Sequence, residues 1–366
     1  MSNTASSTVL AERRKHLGIL TLNRPQALNA LSLEMIRLVA AQLIAWRDDP
    51  QVGAVLLRGA NREGKAPAFC AGGDIRYFHV AAFAGDPTLE DFFSEEYALN
   101  HLIHTFGKPT FVLMDGITMG GGMGVAQGCS MRIVTERAKL AMPETNIGLF
   151  PDVGGGWFLA RTPGYLGEFL GLSGQMLGAA DSLAVDWADI CVKADRLDEL
   201  LQAIADATAI DGVGALSAVN AFAADAGASS LATQRDLIDR VFAAHDVAAI
   251  VAALAAEQGE FAASLAKMLS QRSPLMMAVT LEQIRRARTM TLADDLRMER
   301  GLVRNCFHLR PGAASETLEG IRALVVDKDH SPRWNPPTIA EVDAAMVEAY
   351  FASPWPAHAH PLRDLA

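Results

Sequence analysis

Hydrophobic positions in the first 160 residues alternate between short apolar runs and helical spacings. The runs at 18–22, 52–57 and 110–114 predict strands, and the last two are so nearly continuous that both of their faces should be covered. A helix is predicted between the first two runs, behind the N-cap candidate Ser32. Its apolar residues recur at helical intervals: Leu33, Ile36, Val39, Leu43 and Trp46.

The pattern changes towards the carboxyl end of the chain. Shorter strand candidates follow at 132–135 and 140–142, and a helix is predicted over 95–104. Strands that alternate with helices are typical of an α/β layer structure. Beyond them, strand patterns fade and alanine-rich helical sequence dominates. The sequence therefore predicts an α/β core over 1–205 and a helical region over 206–366.

Composition narrows the functional class. Half of the 366 residues are hydrophobic and only 20% are charged, which allows a sizeable core. A net charge of −10 argues against a nucleic-acid-binding protein, whose binding surface is normally basic. No stretch approaches the roughly 18 consecutive apolar residues of a transmembrane helix, so none is predicted.

The cysteines and the amino-terminal residues indicate the cellular compartment in which the protein is expected. Met1–Leu10 is small and polar and has no apolar core segment, so no secretory signal is predicted. The cysteines lie far apart without a C-x-x-C pair, a pattern that suits reduced thiols in a reducing compartment. They are Cys70, Cys129, Cys191 and Cys306. We therefore expect a soluble, cytoplasmic protein.

Two glycine-rich segments follow predicted strands and offer backbone N–H groups. Residues 69–76 come after the strand at 52–57, and residues 116–124 come after the strand at 110–114. Glycines in that density expose main-chain amides, and amides at a helix start bind anions. A tight turn is the alternative for the first segment taken alone. Together, the segments could each donate one N–H to a carbonyl oxygen and form an oxyanion hole.

Two carboxylates, Glu144 and Asp152, lie in a stretch that is otherwise mostly apolar or glycine. Carboxylates are rarely buried unless they are stabilised or used. Each follows a proline, which restrains the backbone at that point. Helix caps or salt bridges are the structural alternative, but no cation lies nearby in the sequence. Glu96 is a more ambiguous third candidate, because acids that open a helix also interact favourably with its dipole.

Other catalytic and binding motifs are incomplete. A dinucleotide fingerprint fails at Gln127, and a phosphate-binding loop fails at Pro109. The sequence contains no G-x-S-x-G nucleophile elbow. Cys70 or Cys129 is a minor alternative as a nucleophile, although neither has an evident histidine partner. No metal site is predicted, because the closely spaced histidines lack further ligands: His101 with His104, and His358 with His360.

The motifs together resemble the crotonase (enoyl-CoA hydratase/isomerase) superfamily, and within it the 3-hydroxyisobutyryl-CoA hydrolases. The resemblance covers nearly the whole chain. It is carried by the segments 24–31, 69–74, 95–100, 116–122, 142–145, 148–156 and 326–334. It implies an α/β fold, a crotonase-like spiral of β-β-α turns with a helical C-terminal region, whose core binds coenzyme A thioesters.

The resemblance also implies roles for individual residues. The amides of Gly73 and Gly121 would hold the thioester oxygen as an oxyanion hole. Glu144 and Asp152 take the acidic positions of the hydrolases, and Glu96 matches a residue that contacts the substrate. Four residues are expected to contact coenzyme A: Arg24, Ala27, Ala71 and Arg76. Because coenzyme A is part of the substrate, no separate cofactor or metal is expected, and assembly into a homo-oligomer is left open.

One position separates the hydrolases from their relatives. Hydratases of this superfamily carry a second glutamate, and dienoyl-CoA isomerases an additional aspartate, where this chain has Gly124. The expected reaction is therefore hydrolysis of 3-hydroxyisobutyryl-CoA to 3-hydroxyisobutyrate and coenzyme A, a step of valine catabolism. An enoyl-CoA hydratase or an enoyl- or dienoyl-CoA isomerase is the alternative, and a non-catalytic acyl-CoA-binding protein is a remote one.

Overall fold

The structure, a computed structural model, describes residues 7–366. Residues 1–6, part of the segment in which no secretory signal is predicted, lie outside the described residues. None of the helices in the described part combines the length and the apolar composition that crossing a membrane requires.

The described residues form strands and helices in alternation up to residue 192 and helices thereafter. The strands are β1 Val9–Arg14, β2 Leu17–Leu22, β3 Ala54–Gly59, β4 Ala68–Cys70, β5 Thr110–Met114, β6 Ile117–Met119, β7 Met131–Thr135, β8 Lys139–Ala141 and β9 Ile190–Val192. The α-helices are α1 Leu33–Asp48, α2 Ile75–Ala84, α3 Thr88–His104, α4 Gly121–Gln127, α5 Gly155–Leu159, α6 Leu166–Ser173, α7 Ala179–Ala184, α8 Leu197–Ala207, α9 Ala215–Ala218, α10 Arg235–Phe242, α11 Val247–Ala256, α12 Glu260–Leu269, α13 Pro274–Ala287, α14 Leu292–His308, α15 Glu316–Ile321 and α16 Ala344–Phe351.

Contacts between residues divide the chain into two compact units that alternate along the sequence. Of the described residues, the first unit comprises 7–73, 99–140 and 177–230. The second comprises residues 74–98, 141–176 and 231–366. The predicted boundary after residue 205 stays a prediction. It divides the sequence into a part with strands and a part with helices alone, whereas each compact unit combines segments from several places along the chain.

The first unit is built around a six-stranded sheet in the order β1-β2-β3-β5-β7-β9. β1 is antiparallel to β2, and every further pair is parallel. Leu17 and Ile19 of β2 join a buried cluster with α8, while Gly18 between them faces Trp46 of α1. Helices therefore cover both faces, which is why the predicted strands read as continuous apolar runs.

A second, three-stranded sheet in the order β4-β6-β8 was not anticipated as a separate sheet. Its strands are three residues long each, too short for a hydrophobic period to be visible in the sequence. The candidate at 140–142 corresponds to β8. This small sheet carries the two glycine-rich segments, since Gly72 and Gly73 follow β4 while Gly120 and Gly121 follow β6.

The second unit contains helices and connecting loops. α13 packs against α5 and α6, and α14 packs against α5, α15 and α16. Buried phenylalanines join α2, α3 and α14: the rings of Phe78 and Phe92 are 4.7 Å apart, and those of Phe93 and Phe307 are 5.6 Å apart. These contacts fix the part of α3 that carries Glu96.

Candidate active site

The predicted oxyanion donors follow two short strands of the first unit. β4 pairs in parallel with β6, so the glycines after them emerge at the same edge of the small sheet. Gly72 has φ +100° and lies against the other loop, where a Cβ atom would be 3.6 Å from the Gly121 nitrogen. Gly121 is the first residue of α4, and the first amides of a helix have no partner within it. The structure thus brings the segments of Gly73 and Gly121 together.

The turn into α4 depends on glycine for two different reasons. Gly120 has φ +48° and ψ −122°, a conformation that residues with a side chain rarely adopt. Gly122 is buried, and a Cβ atom there would overlap the carbonyl oxygen of Cys70 at the end of β4. Backbone shape and close approach together place the start of α4 beside the end of β4.

Two of the residues expected to contact coenzyme A lie at one turn of the first unit. Ala27 ends the 3₁₀ helix Pro25–Ala27. The Ala71 N–H donates to the carbonyl oxygen of Leu28, the next residue after that helix, at 3.0 Å. The structure therefore brings Ala27 and Ala71 together.

The two arginines expected to contact coenzyme A are placed differently. The Arg24 guanidinium donates to the carbonyl oxygen of Ala30 at 2.8 Å, which holds it against the same turn of the first unit. Arg76 is exposed on α2 in the second unit, and it donates to the carbonyl oxygen of Val325 at 3.4 Å. Contact of either arginine with coenzyme A stays a prediction.

The three candidate acids are all buried in the second unit. Glu96 lies on α3, Glu144 opens the 3₁₀ helix Glu144–Ile147, and Asp152 lies in the loop before α5. Their exposed fractions are 2%, 5% and 6%, respectively. Among the described residues, none of the three forms a salt bridge, so the salt-bridge alternative does not account for them. They resemble the buried carboxyls of catalytic sites.

Burial and mutual repulsion control the proton affinity of these acids. Burial raises the pKa of Glu144 well above its ordinary value, and the charge of Asp152 raises it further. The pKa of Glu96 is raised by burial and then by the charges of Asp152 and Glu144. Burial raises the pKa of Asp152 to about 6. The structure therefore brings the three acids together, close enough for their charges to raise one another's pKa, and raised pKa values are typical of carboxyl groups that act as acids or bases.

Tyr97 is a site residue that the sequence analysis missed. Its hydroxyl donates to Asp152 Oδ2 at 2.7 Å, and this bond partly opposes the effect of burial on the pKa of Asp152. The side chain is 0% exposed, and burial and the charge of Asp152 raise the pKa of Tyr97 so that it keeps its proton. In the sequence, Tyr97 follows the aromatic residue Phe93 by four positions, a helical spacing that is typical of core residues.

Two carboxyl oxygens of the cluster are buried without a hydrogen-bond partner among the described residues: Oε1 of Glu96 and Oε2 of Glu144. A buried polar atom that is left unpaired destabilises the fold by about 1–3 kcal/mol. Such atoms are typical of functional sites, where a bound molecule supplies the hydrogen bond. The cluster is thus suited to bind a polar group or a water molecule.

Alternative chemistries fit the described residues less well. Burial raises the pKa of the Cys129 thiol to about 12, which disfavours the thiolate that a nucleophile requires. Gly124 is buried within α4 and supplies no carboxylate there. Among residues 7–366, no group of three or more histidine, cysteine, aspartate or glutamate side chains is arranged to hold a metal ion.

Comparison with known proteins places this arrangement in a family. The family model for "Enoyl-CoA hydratase/isomerase" matches residues 17–351. A 3-hydroxyisobutyryl-CoA hydrolase of Rattus norvegicus is 40% identical over 356 residues, which cover 96% of this chain and 90% of the rat protein. The corresponding hydrolase of Danio rerio is 39% identical over 358 residues, covering 96% of this chain and 91% of that protein. Both proteins are named as mitochondrial.

Solved structures show the same fold under different activity names. A carnitinyl-CoA dehydratase from Mycobacterium thermoresistibile has a TM-score of 0.88 and 40% identity, and the match covers 96% of this chain and 98% of that chain. An enoyl-CoA hydratase from Rhodobacter sphaeroides 2.4.1 has a TM-score of 0.84 and 37% identity, with 95% and 98% coverage. The crotonase-like fold expected from the sequence is therefore confirmed, and the chain belongs to the enoyl-CoA hydratase/isomerase family.

Proposed function

We propose that this protein hydrolyses the thioester of a short, branched 3-hydroxyacyl-CoA, and that its substrate is 3-hydroxyisobutyryl-CoA. The observation that carries the proposal is the buried cluster of Glu96, Glu144 and Asp152, together with a glycine at position 124. The hydrolases of rat and zebrafish, which match almost the whole chain, support it. The products would be 3-hydroxyisobutyrate and coenzyme A, as in valine catabolism.

In the proposed reaction, the amides of Gly73 and Gly121 donate to the thioester oxygen as negative charge develops on it. Each such donor is worth about 10²–10³ in rate. Glu144 takes a proton from water while the water oxygen attacks the carbonyl carbon. The C–S bond then breaks, and the leaving sulfur of coenzyme A takes up the proton that Glu144 removed from water, which restores the Glu144 carboxylate. Direct attack by Glu144 on the carbonyl carbon is the alternative: the C–S bond breaks, coenzyme A leaves as the thiolate, and water then hydrolyses the resulting mixed anhydride to the free acid and the Glu144 carboxylate.

The other site residues hold the substrate in this proposal. The ionised carboxylate of Asp152 accepts the substrate hydroxyl or shares in proton transfer, and Glu96 contacts the acyl group. Arg24, Ala27, Ala71 and Arg76 contact the coenzyme A portion. No cofactor beyond the substrate's own coenzyme A is required. The cytoplasmic location and a homo-oligomeric state remain predictions, although the matched vertebrate hydrolases are named as mitochondrial.

A hydration or dehydration reaction is the second candidate. Two solved structures that share this fold carry the names of a dehydratase and a hydratase. Glu96 is buried near enough to Glu144 for their charges to interact, so it could replace the glutamate that is missing at Gly124. We favour hydrolysis because the hydrolases match this chain with similar identity and because Gly124 departs from the hydratase pattern.

The decisive measurement is release of free thiol from a panel of acyl-CoA thioesters, run beside hydration of crotonyl-CoA. We expect thiol release to be fastest with 3-hydroxyisobutyryl-CoA and crotonyl-CoA to stay unchanged. The Asp152→Asn variant should lose most of the hydrolysis. Absence of thiol release from every hydroxyacyl-CoA, together with rapid hydration of crotonyl-CoA, would show that the second candidate is correct.

Tyr97→Phe is expected to shift the acid limb of the pH–rate profile to higher pH, by about one unit. The tyrosine hydroxyl stabilises the ionised form of Asp152, so its removal raises the pKa of Asp152 above about 6. The proposed roles of both Asp152 and Glu144 start from the carboxylate, so a higher pKa of Asp152 should cause activity to be lost at a higher pH as the pH falls.

The pH dependence of kcat from pH 5 to 9 measures this shift. Tyr350→Phe, which removes a buried hydroxyl on α16, is the matched control and should leave the profile in place. An unchanged acid limb in the Tyr97→Phe variant would mean that Asp152 does not control it.

A further inference from the structure

Two carboxyl groups of α14 hold the backbone of the loop that carries Asp152. Asp295 and Glu299 lie one helical turn apart, and both are 0% exposed. Glu299 Oε2 accepts the N–H of Gly154 at 2.7 Å, and its Oε1 accepts the N–H of Gly156 at 2.9 Å. Asp295 Oδ2 accepts the N–H of Trp157 at 2.9 Å. The two carboxyl groups therefore hold the segment after Asp152 by three of its backbone amides and not by its side chains.

The segment before Asp152 is bound to the same group. The Gln283 side-chain amide on α13 donates to the Pro151 carbonyl oxygen at 2.7 Å and to Glu299 Oε1 at 2.9 Å. Gln283 is also 0% exposed. Glu299 and Gln283 thus form one clamp that fixes the peptide on both sides of Asp152.

The loop needs such a clamp because its backbone is strained. Val153 has φ +60° and Gly154 has φ +85°, so two successive residues are left-handed. A β-branched residue in this region destabilises the chain by about 1–3 kcal/mol unless its surroundings enforce the conformation. Space is also restricted in this loop, because a Cβ atom at Gly156 would overlap Asp295 Oδ1. The strain at Val153 lies directly before Gly154, the first residue whose amide Glu299 binds.

We propose that Glu299, assisted by Gln283, is a positioning residue that holds Asp152 in its reactive orientation; this inference rests on the proposed function. Burying an acid without an ion pair is unfavourable unless hydrogen bonds compensate for the lost water. Glu299 has this compensation, because it accepts hydrogen bonds from three N–H groups. Both oxygens of the Glu299 carboxyl group accept hydrogen bonds, whereas the amide of a glutamine would turn its NH₂ group towards one of these N–H donors. A displacement of about 1 Å at the reacting group can lower a rate by about 10²-fold.

The test is the kinetics of Glu299→Gln. We expect kcat for thiol release to fall about 10- to 100-fold while KM changes less than about threefold, because the coenzyme A contacts are elsewhere. Glu168→Gln is the matched control: Glu168 is a buried glutamate on α6 whose hydrogen-bond partner is Arg288, and its loss should leave kcat unchanged. A Glu299→Gln variant within twofold of wild type in kcat would overturn the inference.

A double-mutant cycle separates positioning from general support of the fold. If Glu299 acts through Asp152, the Glu299→Gln/Asp152→Asn double variant should be no slower than Asp152→Asn alone. Losses that multiply would overturn the inference. If Glu299→Gln does not fold, the same cycle is measured with Gln283→Met in its place. This substitution removes the side-chain amide that donates to Pro151 and Glu299, and we expect it to lower kcat about tenfold.

Failure of the proposed function gives a different result. Wild-type protein that releases no thiol disproves hydrolysis by itself, before any variant is compared. The same cycle is then measured on crotonyl-CoA hydration, where loss of the effect of Glu299→Gln in the Asp152→Asn background still supports positioning. Multiplying losses in that reaction would again overturn it.

Discussion

Replacing Glu144 with glutamine is expected to lower kcat for thioester hydrolysis by about 10³-fold. Glutamine has nearly the same shape, but its amide neither accepts a proton from water nor attacks a thioester. The buried position of Glu144, close to the charge of Asp152, raises its pKa and so makes it a better proton acceptor than an exposed carboxylate. Thiol release under saturating 3-hydroxyisobutyryl-CoA measures the effect, and a loss of less than about tenfold would remove Glu144 from the reaction.

Thermal unfolding provides the control for this variant. The pKa of Glu144 is raised in the folded protein, so its contribution to the free energy of unfolding is complete below the unfolded pKa of about 4.3 and is lost as pH rises through the folded pKa. Glu144→Gln should therefore melt at the same temperature as wild type near pH 4 and at a higher temperature than wild type at pH 8. A lower melting temperature at pH 8 would mean that the activity loss includes unfolding.

Replacing Gly122 with alanine is expected to reduce kcat by about 10²-fold or more. An added Cβ atom would overlap the Cys70 carbonyl oxygen, so either the start of α4 or the end of β4 must move. Either movement displaces the amides of Gly121 and Gly73 from one another. The proposed oxyanion donors would then lose the geometry that stabilises negative charge on the thioester oxygen.

Gly178→Ala is the matched control for this glycine substitution. Gly178 precedes α7 in the first unit, its φ of −83° suits any residue, and no atom lies within 4 Å of the added Cβ position. We expect kcat and the melting temperature of this variant to match wild type. Equal activity of the Gly122→Ala and Gly178→Ala variants would contradict an essential role for the α4 amides.

Much of the fold could be predicted from local sequence. The strand predicted over 110–114 coincides with β5, and the predicted N-cap Ser32 accepts the N–H of Met35 at the start of α1. These elements were visible because burial on one or both faces imposes a hydrophobic period. The predicted helix at 95–104 instead begins at Thr88, because its first turns are rich in polar and aromatic residues without a clear period.

The site was only partly predictable. Proline and glycine neighbours marked Glu144 and Asp152, whereas Glu96 was an ambiguous candidate until the resemblance to a known family gave it a role. Tyr97 and Glu299 were missed, because each looks like an ordinary residue of a helix. The hydrogen bond between Gly154 and Glu299 joins residues 145 positions apart, and no local pattern predicts such a pair.

The sequence by itself determined where backbone shape is restricted and which residues carry chemistry: prolines before Glu144 and Asp152, glycines at the turns, and no carboxylate at Gly124. Only the tertiary structure decided how strongly the acids hold their protons and which groups restrain the loop of Asp152. The reason is physical. Desolvation and charge repulsion depend on what surrounds a carboxyl group in space, and here those surroundings come from distant parts of the chain.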